Sequence, residues 1–175
     1  GEMENEKKWL EAEDIFLGQN GKARNMLLGL EMARECHHPE AKWLCTTFPS
    51  PPESVVTINV TLSNLAAAGE VRAMFYTGVL TTDWPVIELA AKSGHGRALS
   101  STAWNARGEE RFKLAERACV ANDRLGFCIL GECLIKGDGC KRDVVSGLAL
   151  VKSAVDLGLV IAYCLYGEYA FSQSD

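Results

Sequence analysis

No basic stripe interrupts this chain. Its 18 lysines and arginines are scattered among 23 aspartates and glutamates, and the formal net charge is −5. Such a balance argues against a nucleic-acid partner, which needs clustered positive charge. An apolar segment long enough for a membrane is missing too. The most hydrophobic stretch, LGLVIAYCLYG, follows Lys152 and Asp156 and falls short of the roughly 20 residues a membrane span needs. The opening GEMENEKKWL is too polar for a signal peptide. Histidines number only three, His37, His38 and His95, and no G-x-S-x-G, Walker loop or H-E-x-x-H motif accompanies them. These absences predict a soluble, intracellular, cytoplasmic protein that is not an enzyme, holds no cofactor and touches neither membrane nor nucleic acid.

Seven cysteines without a secretion signal predict a reducing compartment, and an odd number cannot all pair within one chain. Two groups of donors stand out: Cys119, Cys128, Cys133 and Cys140, and Cys36-His37-His38 with Cys45. Zinc sites bring thiolates two to four residues apart so that a tight loop aims both at one ion, and neither group has that spacing. On a helix, Cys128 and Cys133 would point roughly 140° apart. Buried thiols acting as small hydrophobes explain them better, with a metal-binding or redox-responsive module as the alternative. His95 lies in SGHGRAL, which mimics part of a phosphate loop without its third glycine or a preceding strand. A hydrolase or transferase using one of the three histidines is a third, weaker alternative.

What the chain does have is a spaced pattern of small residues. Ala154, Gly158 and Ala162 stand four apart, as do Ala118, Asn122 and Gly126, and Ala90, Gly94 and Ala98. Leu65, Gly69 and Ala73 fit except at the first place, and Ala33, His37 and Ala41 except at the middle one. Five residues beyond each last member stand Thr46, Gly78, Ala103, Gly131 and Gly167, all small. Successive copies are 25 to 36 residues apart, within the range of helical arrays. Small residues permit backbone-to-backbone contact between antiparallel helices, and the middle residue supplies the turn. The frame predicts helices over residues 7–18, 22–36, 39–48, 53–68, 70–80, 85–93, 95–106, 109–121, 124–136, 144–157 and 160–171. Within 53–68 the run VVTINVTL is β-branched and reads alone as a strand; the frame and the following LSNLAAAG make it a helix.

Leu130, Gly131, Gly137, Gly139 and Asp143 form L-G-x-x-x-x-x-G-x-G-x-x-x-D, continued by Leu148, Ala149, Ala154, Gly158 and Ala162. This pattern resembles the Sel-1-like repeat, a relative of the tetratricopeptide repeat. It is specific over residues 118–171; over 7–117 only the small-residue skeleton persists, with PSPPES, TTDWP and NARGEE in place of the G-x-G loop. The resemblance implies an all-α, right-handed superhelical α-solenoid of antiparallel helix pairs, about eleven helices in a single repeat domain over 1–175, with 1–6 and 172–175 flexible. It further implies a non-catalytic scaffold or adaptor that binds a peptide or partner protein in a concave groove lined by the first helix of each pair. If the tetratricopeptide arrangement carries over, the groove presents Trp43, Thr47, Phe75, Val79, Ser100, Trp104, Cys128, Glu132, Cys164 and Glu168. Trp43, Phe75 and Trp104 would then form an aromatic patch, and Glu132 and Glu168 an acidic one, suited to a hydrophobic anchor beside a basic residue. The competing reading places the three aromatics in the core. A cysteine-rich subset of the family staples each helix pair with a disulfide whose second cysteine would stand at position 127; Phe127 is there and Cys128 follows, so thiols are expected. An exposed last helix would favour self-association through the C-terminal helix.

Overall fold

The computed structural model describes residues 1–173. They form eleven helices and no strand: α1 (Glu2–Leu17), α2 (Met26–Ala33), α3 (Pro39–Thr47), α4 (Val55–Ala67), α5 (Val71–Thr81), α6 (Trp84–Lys92), α7 (Gly96–Asn105), α8 (Gly108–Val120), α9 (Arg124–Lys136), α10 (Val144–Asp156) and α11 (Val160–Gln173). The odd-numbered helices are the first members of successive pairs and the even-numbered ones the second. Side chains of Asn25, His38, Glu70, Asp83, His95, Asp123 and Asp143 accept backbone N–H groups at seven of the helix starts, satisfying donors that have no intrahelical partner. Pro39 and Pro85 occupy first turns, where a missing N–H does no harm.

The small-residue frame is what closes each turn between pairs. Gly69, Gly94, Asn122 and Gly158 adopt left-handed φ values of 94°, 89°, 62° and 82°. His37, the member that departs from the pattern, is not among the left-handed residues. The flanking Ala90, Ala98, Ala118, Ala154 and Ala162 are all fully buried. A Cβ on Gly126 would lie 2.6 Å from that of Ala118, so the two backbones approach as closely as glycine allows. The β-branched run is helical because its burial is: only Ile58 and Leu62, one turn apart, enter the core of α4, while Val55, Val56 and Val60 face outward. Packing in register overrides local strand preference.

The G-x-G loop between α9 and α10 has a mechanical role. Gly137 ends α9 in the left-handed region, Arg142 Nε donates to the Ile135 carbonyl at 3.0 Å, and Asp143 N–H donates to the Leu134 carbonyl at 2.8 Å before capping α10. The same closure recurs between α1 and α2, where no motif announces it. Gly18 is left-handed, Arg24 Nε donates to the Leu17 carbonyl at 3.0 Å, and Asn25 N–H donates to the Ile15 carbonyl at 2.7 Å. Residues 2–6, read from sequence as flexible, form the start of α1, and 172–173 continue α11; residues 174 and 175 lie outside the described residues.

The core runs through the array in contiguous clusters. The largest joins α1 to α7 through Trp9, Phe16, Leu44, Ile58, Phe75, Tyr76 and Leu99. A second gathers Ala103, Ala115, Ile129 and Cys133, and a third Cys128, Val151, Leu159 and Ala162. Among the described residues no helix is long and apolar enough to cross a membrane. One close crossing is glycine on glycine: a Cβ on Gly131 would stand 2.7 Å from the Gly147 carbonyl oxygen, and one on Gly147 2.6 Å from that of Gly131. Gly131→Ala should therefore lower stability by about 1–3 kcal/mol in urea unfolding, although alanine in place of a mid-helix glycine normally adds about 1 kcal/mol.

Candidate binding site

Instead of leaving the inner side of the array open, the chain lays α1 across the starts of the other first helices. Asn5 and the His37 backbone exchange two hydrogen bonds, of 2.9 and 3.0 Å, just before α3. Glu6 meets His38 Nε2 at 2.7 Å, and Trp9 stacks on the same imidazole. Glu13 accepts from the Tyr76 hydroxyl of α5 at 2.7 Å and from Arg97 of α7, which also reaches Gln19. Asp14 takes a two-oxygen contact from Arg124, the first residue of α9, at 2.6 Å to each oxygen. Asn20 then donates to the Gly158 carbonyl at 2.9 Å and accepts from Val160 N–H, the start of α11, at 2.7 Å. Four helix starts and the middle of α5 are engaged in chain order by one helix and the turn after it. The N-terminal ends of helices carry partial positive charge, and the acids of α1 lie where that charge stabilises them.

The middle of this contact line is buried and highly charged. Glu13, Asp14, Asp123 and Arg124 are all buried. Burial pushes the Glu13 carboxyl up, against the pull of Arg97 and Tyr76. The Tyr76 phenol is held well above its ordinary value by burial and by the Glu13 carboxylate. Burial works against the Arg97 charge, yet Glu13, Asp123 and Asp14 outweigh it and keep the guanidinium protonated. Asp123 binds the Ser100 hydroxyl at 2.6 Å and caps α9 through the backbone N–H groups of Leu125 and Gly126. His95 stacks on Phe75 and caps α7 by accepting from Ala98 N–H at Nδ1. Burial lowers its pKa to about 4, so the ring is neutral near pH 7.

Beside the end of α1 an open trough of about 460 Å³ remains, bounded by the 19–21 turn, α7, α9 and the start of α11. Its apolar surface comes from Trp84, Trp104, Leu125, Leu159, Val160 and Ile161, with the paired Arg97 and Arg124 also in its lining. Trp84 and Trp104 are 43% and 46% exposed, large for tryptophan in a folded chain. Trp104 belongs to the series read from sequence. Trp84 does not; its place in TTDWP, directly after a capping aspartate, was the signal that could have found it.

The other candidate positions are placed differently. Phe75 is fully buried, with Tyr76 edge-on and Arg97 over its ring. Trp43 is half-buried and stacks on Tyr76; Val79 packs against the same core, and the Thr47 hydroxyl donates to the Trp43 carbonyl. The aromatic trio is thus not brought together on one surface, because Tyr76 and α1 cover the N-terminal half of the inner side. Ser100 and Cys128 are buried, whereas Cys164 is exposed. Glu132 is held by Tyr169 at 3.2 Å, Lys136 at 3.7 Å and Arg111 at 3.8 Å; Glu168 is exposed and does not join it in a bare acidic patch. All seven cysteines are thiols. Burial raises Cys119 and Cys128 to about 12 and Cys133 to about 11, which makes them inert near neutral pH. Among the described residues no group of three or more His, Cys, Asp or Glu side chains could hold a metal ion.

Stacked antiparallel helix pairs, turned by left-handed residues and closed by glycine contacts, define an α-solenoid of degenerate repeats. Neither a family model nor a curated protein matches the sequence. Two solved structures do share the fold. A Sel1 repeat protein from Oxalobacter formigenes matches with TM-score 0.51 at 25% identity, covering 62% of this chain and 96% of that one. A protective antigen of uropathogenic Escherichia coli strains, displaying an SLR fold, matches with TM-score 0.57 at 13% identity over 92% of this chain and 40% of that one. The chain shares the fold of these Sel1-repeat structures.

Two outcomes follow from the charged contact line. Arg124→Ala leaves the buried Asp14 without its ionic partner, with only Asn20 still donating to it, and should cost about 3–5 kcal/mol in urea unfolding, whereas Asp14→Leu/Arg124→Leu should recover most of that loss. The second concerns pH. Unfolded, His95 takes its proton near 6.5; folded, only near 4. Its contribution is therefore fully present above about pH 7 and is lost as pH falls from about 6.5 to 4, by as much as about 3 kcal/mol. Glu13, with its raised carboxyl, acts in the opposite sense. His95→Asn keeps a capping acceptor, and the difference between its pH–stability curve and that of the parent should isolate the imidazole.

Proposed function

We propose that this protein is a non-catalytic interaction scaffold that takes an extended peptide or partner helix in the trough between the end of α1 and helices α7, α9 and α11. The observation that carries the reading is the pair of exposed tryptophans, Trp84 and Trp104, above an apolar trough of about 460 Å³. Exposed aromatics flanking a concave apolar floor suit one large hydrophobic anchor, the usual centre of an interface hot spot. The walls are preorganised by the α1 contact line, so little ordering opposes binding. Of the groove positions suggested by the sequence, Trp104 is the one assigned to this site; Glu168, exposed on α11, is assigned to the recognition of a basic residue at the partner's far end.

A role without chemistry is supported by how the histidines are used. His38 and His95 spend Nδ1 on helix caps, and His38 spends Nε2 on Glu6. Inert buried thiols are consistent with a reducing, intracellular setting. Self-association through the exposed face of α11 belongs to the same reading. The test is selection from a random peptide display library. Enriched peptides should share an aromatic or long aliphatic anchor and bind Trp84→Ser/Trp104→Ser at least about tenfold more weakly. No enrichment, or peptides indifferent to both tryptophans, would overturn the trough as the site.

A further inference from the structure

The turn after α1 joins a reactive dipeptide to a side chain whose hydrogen-bonding atoms are all in use. Of the seven asparagines, Asn20 is the one followed by glycine. With no side chain on Gly21, its backbone nitrogen approaches the Asn20 side-chain carbonyl carbon without steric hindrance. Gly21 is exposed, and a Cβ there would meet nothing within 4 Å. In the closed array, however, the Asn20 amide is held from three sides. Nδ2 donates to Asp14 Oδ2 at 3.1 Å and to the Gly158 carbonyl at 2.9 Å, and Oδ1 accepts from Val160 N–H at 2.7 Å. Two donated hydrogens exhaust what an amide nitrogen has to give.

We propose that Asn20–Gly21 is a deamidation site protected by the closed array, and that conversion there releases the turn after α1 from α11. The Gly21 nitrogen attacks Asn20 Cγ and loses its proton, the Cγ–Nδ2 bond breaks, and ammonia departs, leaving a five-membered succinimide. Water then opens the ring at either carbonyl to give aspartate or isoaspartate, so one water is consumed for each ammonia lost. The attack needs Cγ to swing toward its neighbour's backbone. Hydrogen bonds to α1 and to the opening of α11 hold it back until the turn lifts. After conversion, the former donor contacts to Asp14 and Gly158 face an oxygen with no hydrogen to give. A new carboxylate also lies against that of Asp14, where like charges repel. Lys7, Lys8 and Lys22 border the same hollow, but all three are exposed and screened by water, so they offset little of this. Because residues 19–21 bound the trough, the modified chain presents it with one wall loosened. That last consequence rests on the trough reading above; the chemistry and the release do not.

The test is peptide mapping of the purified chain during incubation in mildly alkaline buffer, which favours attack by the backbone nitrogen. Trypsin cuts after Lys8 and Lys22, so fragment 9–22 carries Asn20 as its sole asparagine. Its mass reads amide-to-acid conversion, and its elution separates the isoaspartate form. A synthetic peptide of residues 9–22 serves as the unlatched reference, and the intact chain should convert at least about tenfold more slowly. Val160→Pro removes the N–H that Oδ1 accepts, at a helix start that tolerates proline, and should convert faster than the parent with unchanged helical circular dichroism. Asn20→Asp should speed hydrogen exchange across the first turn of α11 by at least about tenfold. Equal rates in chain and free peptide, or a Val160→Pro rate no higher than the parent's, would overturn the protection. Exchange in Asn20→Asp as slow as in the parent would overturn the release. Neither readout uses a trough ligand, so failure here is distinct from failure of the peptide selection above.

Discussion

Arg124 opens α9 and reaches back 110 residues to grip both oxygens of Asp14, with the pair almost wholly removed from water. Much of the molecule's arrangement hangs on this contact. An ion pair so buried gains little net stability over an apolar pair of similar volume, but it tolerates very few geometries. Here it fixes how far α1 slides along the row of helix starts, and hence where the 19–21 turn comes to rest. Asn20 completes the placement by pairing with the backbone that opens α11. The trough begins where α1 stops.

Repeat arrays are ordinarily quasi-one-dimensional, each unit touching only its neighbours. This one is closed across its length, because α1 touches the starts of α3, α7 and α9 and the middle of α5, and its following turn touches α11. Glu13 and Arg97 sit at the middle of that closure, joined to Tyr76 and Gln19, so disturbance at one helix start is felt at the next. A wall assembled this way does not need a ligand to order it. The tryptophans, set on the short helix α6 and the end of α7, share the trough with Arg97 and Arg124 of the charged line but are themselves exposed.

The helical frame was legible because it depends on residue size at fixed spacing. Ala118, Asn122 and Gly126 had to be small, or tolerant of the left-handed region, wherever the rest of the chain went. The crossing of α1 was not legible. Glu13 and Asp14 look like the solvated face of an ordinary helix, and only partners more than sixty residues away, Tyr76, Arg97 and Arg124, turn them into a buried acidic pair. For the same reason Phe75 and Trp43 read as groove residues: their spacing is right for the inner side, but spacing carries no information about a helix that covers it. Trp84 went unread because it falls at the turn within the α5–α6 pair, outside the positions that a repeat frame marks. His95 read as part of a glycine-rich turn, and it is; its capping role follows from Nδ1 geometry that a sequence does not show.

The reach of Asn20 to Val160 also bears on how the chain comes into being. Synthesis proceeds from the N-terminus at about 5–20 residues per second. α1 is therefore complete several seconds before the residues that receive it exist. During that interval Glu13 and Asp14 remain in water as ordinary carboxylates, and pairs such as α5–α6 assemble on local contacts alone. α1 gains its last contact only once Val160 has been made, and the trough comes into existence only after residues 159–161.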